Sequence, residues 1–243
     1  MDVKTVIHKN YVSIKGKGKK VMLFAHGYGC DQNMWRFVTP AFENEFKIVL
    51  FDQVGSGLSD EKAYRFDKYN SLDGYAHDII ELCQALALEN IIFVGHSVSG
   101  MIGMLAAIKM PSLFDKIIMI CPSPCYINDG SYIGGFSLKD INELLDALDS
   151  NYLGWASNLA NIASSNQTEV REELNNRFCR NNPEIAKHFA KVTFLGDNRK
   201  DLNQLTIPTL IIQCSTDIIV PIEVGEYMCK QILDLRISCN DKC

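Results

Sequence analysis

Ile91-Ile92-Phe93-Val94-Gly95-His96-Ser97-Val98-Ser99-Gly100 joins a short apolar run to a longer apolar segment, with a serine at the joint. The run before Gly95 has the β-branched and aromatic content of a strand buried on both faces. From Val98 the chain stays apolar nearly all round to Met110, where Pro111 stops it, which predicts the most buried helix of the fold. A strand that becomes a helix within so few residues holds the serine in a strained backbone conformation with its hydroxyl exposed. The turn also brings together the positions two before and two after the serine, so both must be small. Gly95 and Ser99 meet that need, although Ser99 stands where a second glycine is usual. The string alone is a weak signal; between this strand and this helix it points to a nucleophile.

The same alternation extends outward from this turn. Residues 21–25, 47–51, 116–120 and 209–213 read as further buried strands, and Ser71 is placed to cap a helix carrying Leu72, Tyr75, Ile79, Leu82 and Leu86 on one face. Thr5-Val6-Ile7 and Tyr11-Val12-Ser13-Ile14 suit an antiparallel hairpin on one edge. Between residues 126 and 199 the strand pattern stops and helical patterns take over. Phe136-Ser137-Leu138-Lys139-Asp140-Ile141 contains a helix start with Ser137 as N-cap and Asp140 three residues on. Trp155, Leu159 and Ile162 form another apolar face, and residues 169–178 and 183–194 read as two more helices. The expected fold is therefore α/β: a mostly parallel sheet with helices on both faces and a helical lid inserted after the sixth strand, over the carboxyl edge where such sheets bind ligands. One domain is expected, with a core at 1–125 and 200–243 and a lid at 126–199.

Composition narrows the function. The chain has 243 residues, 47% hydrophobic and 22% charged, with a net charge of −5. That excludes a disordered or low-complexity protein. Lys15, Lys17, Lys19 and Lys20 alternate with Gly16 and Gly18 and read as a solvated turn, so no nucleic-acid partner is expected. Nine cysteines are scattered with no Cys-x-x-Cys pair, which argues for reduced thiols and no metal site. No apolar stretch reaches membrane-spanning length and the N-terminus lacks a signal core, so a cytoplasmic protein is expected. Asn166-Gln167-Thr168 matches a glycosylation pattern that has no meaning without secretion.

Two further segments suit acyl-transfer chemistry. His26-Gly27-Tyr28-Gly29 ends an earlier strand; Tyr28 N–H there and Val98 N–H after Ser97 would make a pair of oxyanion donors, or the segment is a plain glycine turn. Asp217, just past the strand at 209–213, would orient a histidine, or it caps the turn before Pro221.

With these residues the chain resembles α/β-hydrolases, and among them the RsbQ-type bacterial stress-signalling hydrolases and the related plant karrikin and strigolactone receptors. The resemblance runs along the chain through His26-Gly27-Tyr28-Gly29-Cys30-Asp31-Gln32, Phe51-Asp52-Gln53-Val54-Gly55-Ser56-Gly57, Gly95-His96-Ser97-Val98-Ser99, Pro122-Ser123-Pro124-Cys125-Tyr126, the tract 175–194 and the Asp217 loop. It implies a Ser–His–Asp hydrolase acting without metal or organic cofactor on a small apolar carbonyl compound, an ester or lactone. Ser97 is then the nucleophile, Asp217 the acid, Tyr28 and Val98 the oxyanion donors, and Tyr126, Trp155, Leu159 and Phe194 line an apolar pocket under a four-helix lid. RsbQ-like members also imply a PAS-domain phosphatase as partner, in sigma-B regulation of a stress response. Gly55-Ser56-Gly57 becomes a structural loop, since no Lys-Ser/Thr follows it.

One triad member is missing. The order along the chain should be Ser, acid, His, yet all five histidines (His8, His26, His77, His96, His188) precede Asp217. The 26 residues after it hold the Pro221 helix and a strand start at 233–238, whereas the tail Cys239-Asn240-Asp241-Lys242-Cys243 resembles neither the expected Gly-His loop nor a closing helix. Losing the base alone costs about 10⁶-fold in turnover in a well-studied protease, so a catalytically impaired chain is expected. A frameshift or early stop, a fragment, and a ligand-binding pseudoenzyme stay open, as do a signalling module that activates a phosphatase and a cofactor-free haloperoxidase or acyltransferase.

Overall fold

The computed structural model describes residues 2–164 and 167–240; Asn166 of the glycosylation pattern and residues 241–243 of the tail lie outside them. Seven strands form one sheet: β1 (Ser13–Lys15), β2 (Lys20–Ala25), β3 (Phe46–Leu50), β4 (Ile91–His96), β5 (Phe114–Ile120), β6 (Thr209–Cys214) and β7 (Leu235–Asn240). Their order is β1-β3-β2-β4-β5-β6-β7, antiparallel only where β1 meets β3. Side chains along the inner strands alternate between two apolar clusters. Leu23, Val49, Phe93 and Ile117 face the larger one with helices α2 (Leu72–Ala85) and α3 (Val98–Lys109), and Met22, Phe24, Ile48 and Val94 face Trp35 on the other side. On that second side Ile92, Ile118 and Ile120 remain half-buried.

The first residues differ from expectation. Val3–Lys9 is a helix, α1, and not the first arm of a hairpin. Its β-branched residues read as strand, but Asp2 Oδ1 accepts from Lys4 N–H at 2.9 Å and Thr5 N–H at 3.2 Å, which caps a helix. Val6 is fully buried, and Lys9 Nζ reaches buried Asp78 at 2.9 Å. These tertiary contacts override local propensity. The lid follows the strand expected to precede it, and with α1 in place that strand is the fifth.

The lid contains α4 (Leu138–Ser150), α5 (Tyr152–Ala163), α6 (Thr168–Arg180) and α7 (Pro183–Phe194); α8 (Ile222–Gln231) then packs against β6 and β7. The helix start at Ser137 is a full capping box with Asp140. Ile162, expected on the buried face of α5, is 47% exposed. Among the described residues no helix follows β7.

Candidate active site

Register builds the site. Ala25 pairs with Gly95, so residues 26–29 emerge from β2 directly beside Ser97, and His96 pairs with Ile120, whose partner Ile212 carries the chain on to Asp217. Ser97 has φ 55° and ψ −126°, a conformation disfavoured for a side-chain-bearing residue. Its N–H donates to Ile120 O at 2.8 Å and its carbonyl accepts from Gly100 N–H at 2.9 Å, which holds the turn. The size rule at the turn has a measurable cause: a Cβ on Gly95 would lie 2.6 Å from the Ser99 carbonyl oxygen.

Gly27 presses equally closely from the β2 side. A Cβ there would fall 2.5 Å from His96 Nδ1 and 3.4 Å from Ser97 Cβ. Val98 opens α3, so its N–H has no acceptor within the helix, and among the described residues neither it nor Tyr28 N–H makes a hydrogen bond. The Val98 N–H and the loop bearing the Tyr28 N–H thus lie beside the Ser97 turn, both donors without partners among the described residues.

Asp217 Oδ1 accepts from Ile219 N–H at 2.8 Å and Val220 N–H at 3.0 Å, so the carboxylate does cap its own turn. Its charge also acts on Tyr126, Cys121 and His96. Burial pushes the Tyr126 phenol up to about 12, opposed by its hydrogen bond with Ser97, and pushes the Cys121 thiol up to about 11. Ser97, Asp217 and Tyr126 therefore share one locality. The Cys121 and Cys214 sulfurs and an Asp217 oxygen lie within 4.8 Å of one another. Sequence reasoning treated those cysteines only as core.

Among the described residues no histidine hydrogen-bonds Ser97 or Asp217. His26 is fully buried, its Nδ1 donating to Gly27 O at 2.9 Å and its Nε2 accepting from Gln53 N–H at 3.0 Å, an arrangement that defines a neutral ring. Burial lowers its pKa accordingly, against the pull of Asp52. Asp52 in turn accepts from Gln32 and Leu58 N–H groups at 2.7 and 2.8 Å, so the loop through Gly57 is structural. His188 accepts or donates at Nδ1 with the Tyr64 hydroxyl at 2.8 Å, far along the lid seam, where it lines a cleft of about 660 Å³ between α2, α3 and α7.

The lid covers the turn with aromatic rings. Tyr28 sits among Trp155, Phe178, Phe189 and Phe194, with ring centres 5.9, 6.4, 5.6 and 6.0 Å away. Tyr126 meets Phe194 at 5.1 Å, and Leu159 packs half-buried on the same core. Phe178 and Phe189 were not anticipated. Phe189 follows Ile185 by one helical turn, a spacing that could have found it; the contact of Phe178 with Gly29 is purely tertiary. The Tyr28 hydroxyl donates to Ala186 O at 2.9 Å, which ties the loop after β2 to the lid.

A family model for the alpha/beta hydrolase fold matches residues 20–241. The chain is 36% identical over 219 residues to karrikin insensitive 2 receptor CA of Petunia hybrida, covering 89% of this chain and 81% of that protein. It is 34% identical over 218 residues to strigolactone esterase D14 of Arabidopsis thaliana, covering 89% and 82%. The solved structure of a hydrolase from Oleispira antarctica superposes with a TM-score of 0.97 at 41% identity, covering 99% of this chain and 89% of that one.

Proposed function

This chain belongs to the α/β-hydrolase fold family, and from that premise we propose that it is a serine hydrolase acting on a small apolar ester or lactone. One observation carries the reading: Ser97 is held at φ 55°, the loop bearing Tyr28 leaves β2 beside it, and neither Tyr28 N–H nor Val98 N–H has a hydrogen-bond partner among the described residues. Ser97 Oγ attacks the carbonyl carbon, its proton leaves to a base, and the oxygen that gains charge is met by Tyr28 and Val98 N–H. Asp217 is the carboxylate that orients the base and stabilises its charged form. Tyr126, Trp155, Leu159 and Phe194 supply the apolar walls.

These 243 residues hold no histidine beyond Asp217, so a polypeptide of this sequence turns over slowly. Oxyanion and binding effects alone leave roughly 10³–10⁴ over water. Steady-state hydrolysis of 4-nitrophenyl acetate tests this. The expected rate lies several orders below that of a complete triad; fast multiple turnover that disappears in Ser97→Ala contradicts the impairment.

A second reading has specific support, because the relatives' names divide between receptor and esterase. In it, a cytoplasmic RsbQ-like protein senses an apolar carbonyl ligand under the lid and activates a PAS-domain phosphatase in a stress response. Phosphatase activation that survives Ser97→Ala while ester cleavage is lost favours this reading, and activation lost together with cleavage rules against it.

A further inference from the structure

We propose that Ser99 and Gln53 are positioning residues that set the distance between the two oxyanion amides, an inference that rests on the hydrolase reading above. The Ser99 side chain is fully buried. Its hydroxyl donates to the His26 carbonyl at 2.5 Å and accepts from Gln53 Nε2 at 2.5 Å. The same Nε2 donates to the His26 carbonyl at 3.0 Å, while Gln53 N–H donates to His26 Nε2 at 3.0 Å. Residues just past the ends of β2, β3 and β4 thus meet in one buried knot beneath Ser97.

Both donors hang from that knot. Tyr28 lies two residues beyond His26, and Val98 is bonded directly to Ser99. The separation of their N–H groups therefore depends on the Ser99–Gln53–His26 contacts and not on either loop alone. Gly95 closes the other side, since its Cα face already abuts the Ser99 carbonyl. A serine in place of the small glycine usual at this turn has added the hydroxyl that makes the tie.

Gln53 shows that the knot serves more than stability. Its Oε1 is buried and has no hydrogen-bond partner among the described residues. A buried acceptor left bare is destabilising, and an apolar side chain of the same shape would serve a purely structural role better. What the amide provides is its NH₂ group, which holds Ser99 and His26 together.

Phenylboronic acid tests the proposal without calling on a general base. Ser97 Oγ adds to the trigonal boron, its proton passes to solvent, and the resulting tetrahedral anion places an oxygen against the two amides; the ¹¹B resonance reports the change. Ser99→Ala and Gln53→Met are each expected to weaken this adduct by about ten- to a hundredfold, part of the loss seen when one oxyanion donor is removed. The double variant should lose less than the product of the two, because both cut the same knot. The melting temperature of Gln53→Met should fall by much less than the loss of boronate affinity implies, because the bare Oε1 acceptor is removed together with the NH₂ donor, whereas a merely structural role would lower both in step. Boronate affinity unchanged in both variants, or lost only in step with melting temperature, overturns the positioning role and leaves the hydrolase reading intact. No tetrahedral signal in the native protein, or one that persists in Ser97→Ala, overturns both. Should Ser99→Ala fail to fold, Gln53→Met decides alone.

Discussion

His96 stands next to Ser97, yet its chemistry is the reverse of a general base. The residue is half-buried, but its Nδ1 is sealed against Gly27 and has no hydrogen-bond partner among the described residues. Burial lowers its pKa to about 4, with the Asp217 charge only partly offsetting this. A ring that gains a proton so reluctantly, with that nitrogen enclosed, cannot take one from Ser97 near neutral pH. It has a consequence for stability instead. In the unfolded chain the same ring titrates near 6.5, so between about 6.5 and 4 the unfolded state binds a proton that the folded state refuses. Stability contributed by the neutral ring is complete above 6.5 and is lost as pH falls through that window, by up to about 3 kcal/mol. Urea midpoints measured from pH 7 to pH 4.5 should fall, and His96→Gln should flatten the slope. A native midpoint that holds constant from pH 6.5 to 5 contradicts the assignment.

At the scale of elements, the lid is fastened to the loop after β2 by α6. Arg177 lies between Glu173 and Asp31 with only 11% of its side chain exposed, and Arg36 grips Glu173 with two bonds of 2.7 and 2.6 Å. Asn181 Nδ2 adds a bond to Gly29 O at 3.1 Å. Arg177→Met leaves the carboxylates of Asp31 and Glu173 facing each other without their shared cation. The expected cost is about 2 kcal/mol, since the site is more enclosed than a surface pair but not fully buried. For a chain of this size that lowers the melting temperature by about 4–8 °C. Limited proteolysis should cut first within the lid, and cleavage unchanged in both site and rate speaks against the latch. None of this was legible beforehand, because Arg36 and Glu173 are 137 positions apart and a charged residue on a helix reads as solvated. Local signals fared better: the capping box at Ser137 needed only four neighbouring residues. Val3–Lys9 shows the opposite case, where Val6 burial and the Lys9–Asp78 contact decided a segment whose own residues favour strand.

At the scale of the molecule, the site exists because three loops leave one carboxyl edge in the right order. The turn at Ser97, the glycines that frame it and the buried runs of β2 to β6 could be read from residue type, since strand and helix periodicity carry that information. Their registry could not. Ala25 opposite Gly95 and Ile120 opposite Ile212 are products of sheet assembly, and they bring residues 28, 97 and 217 into one place. The buried knot of His26, Gln53 and Ser99 was likewise invisible, because its members lie 27 and 46 positions apart. The central claim is that the Ser97 hydroxyl, held by this turn, is the group that attacks a carbonyl. It is tested most directly by incubating the protein with 4-nitrophenyl acetate at mildly alkaline pH, quenching in acid and mapping the acyl group by peptide mass spectrometry. The acetyl group should be found on Ser97 and be absent in Ser97→Ala. Acetyl groups confined to lysines or cysteines, with Ser97 unmodified, would contradict the account.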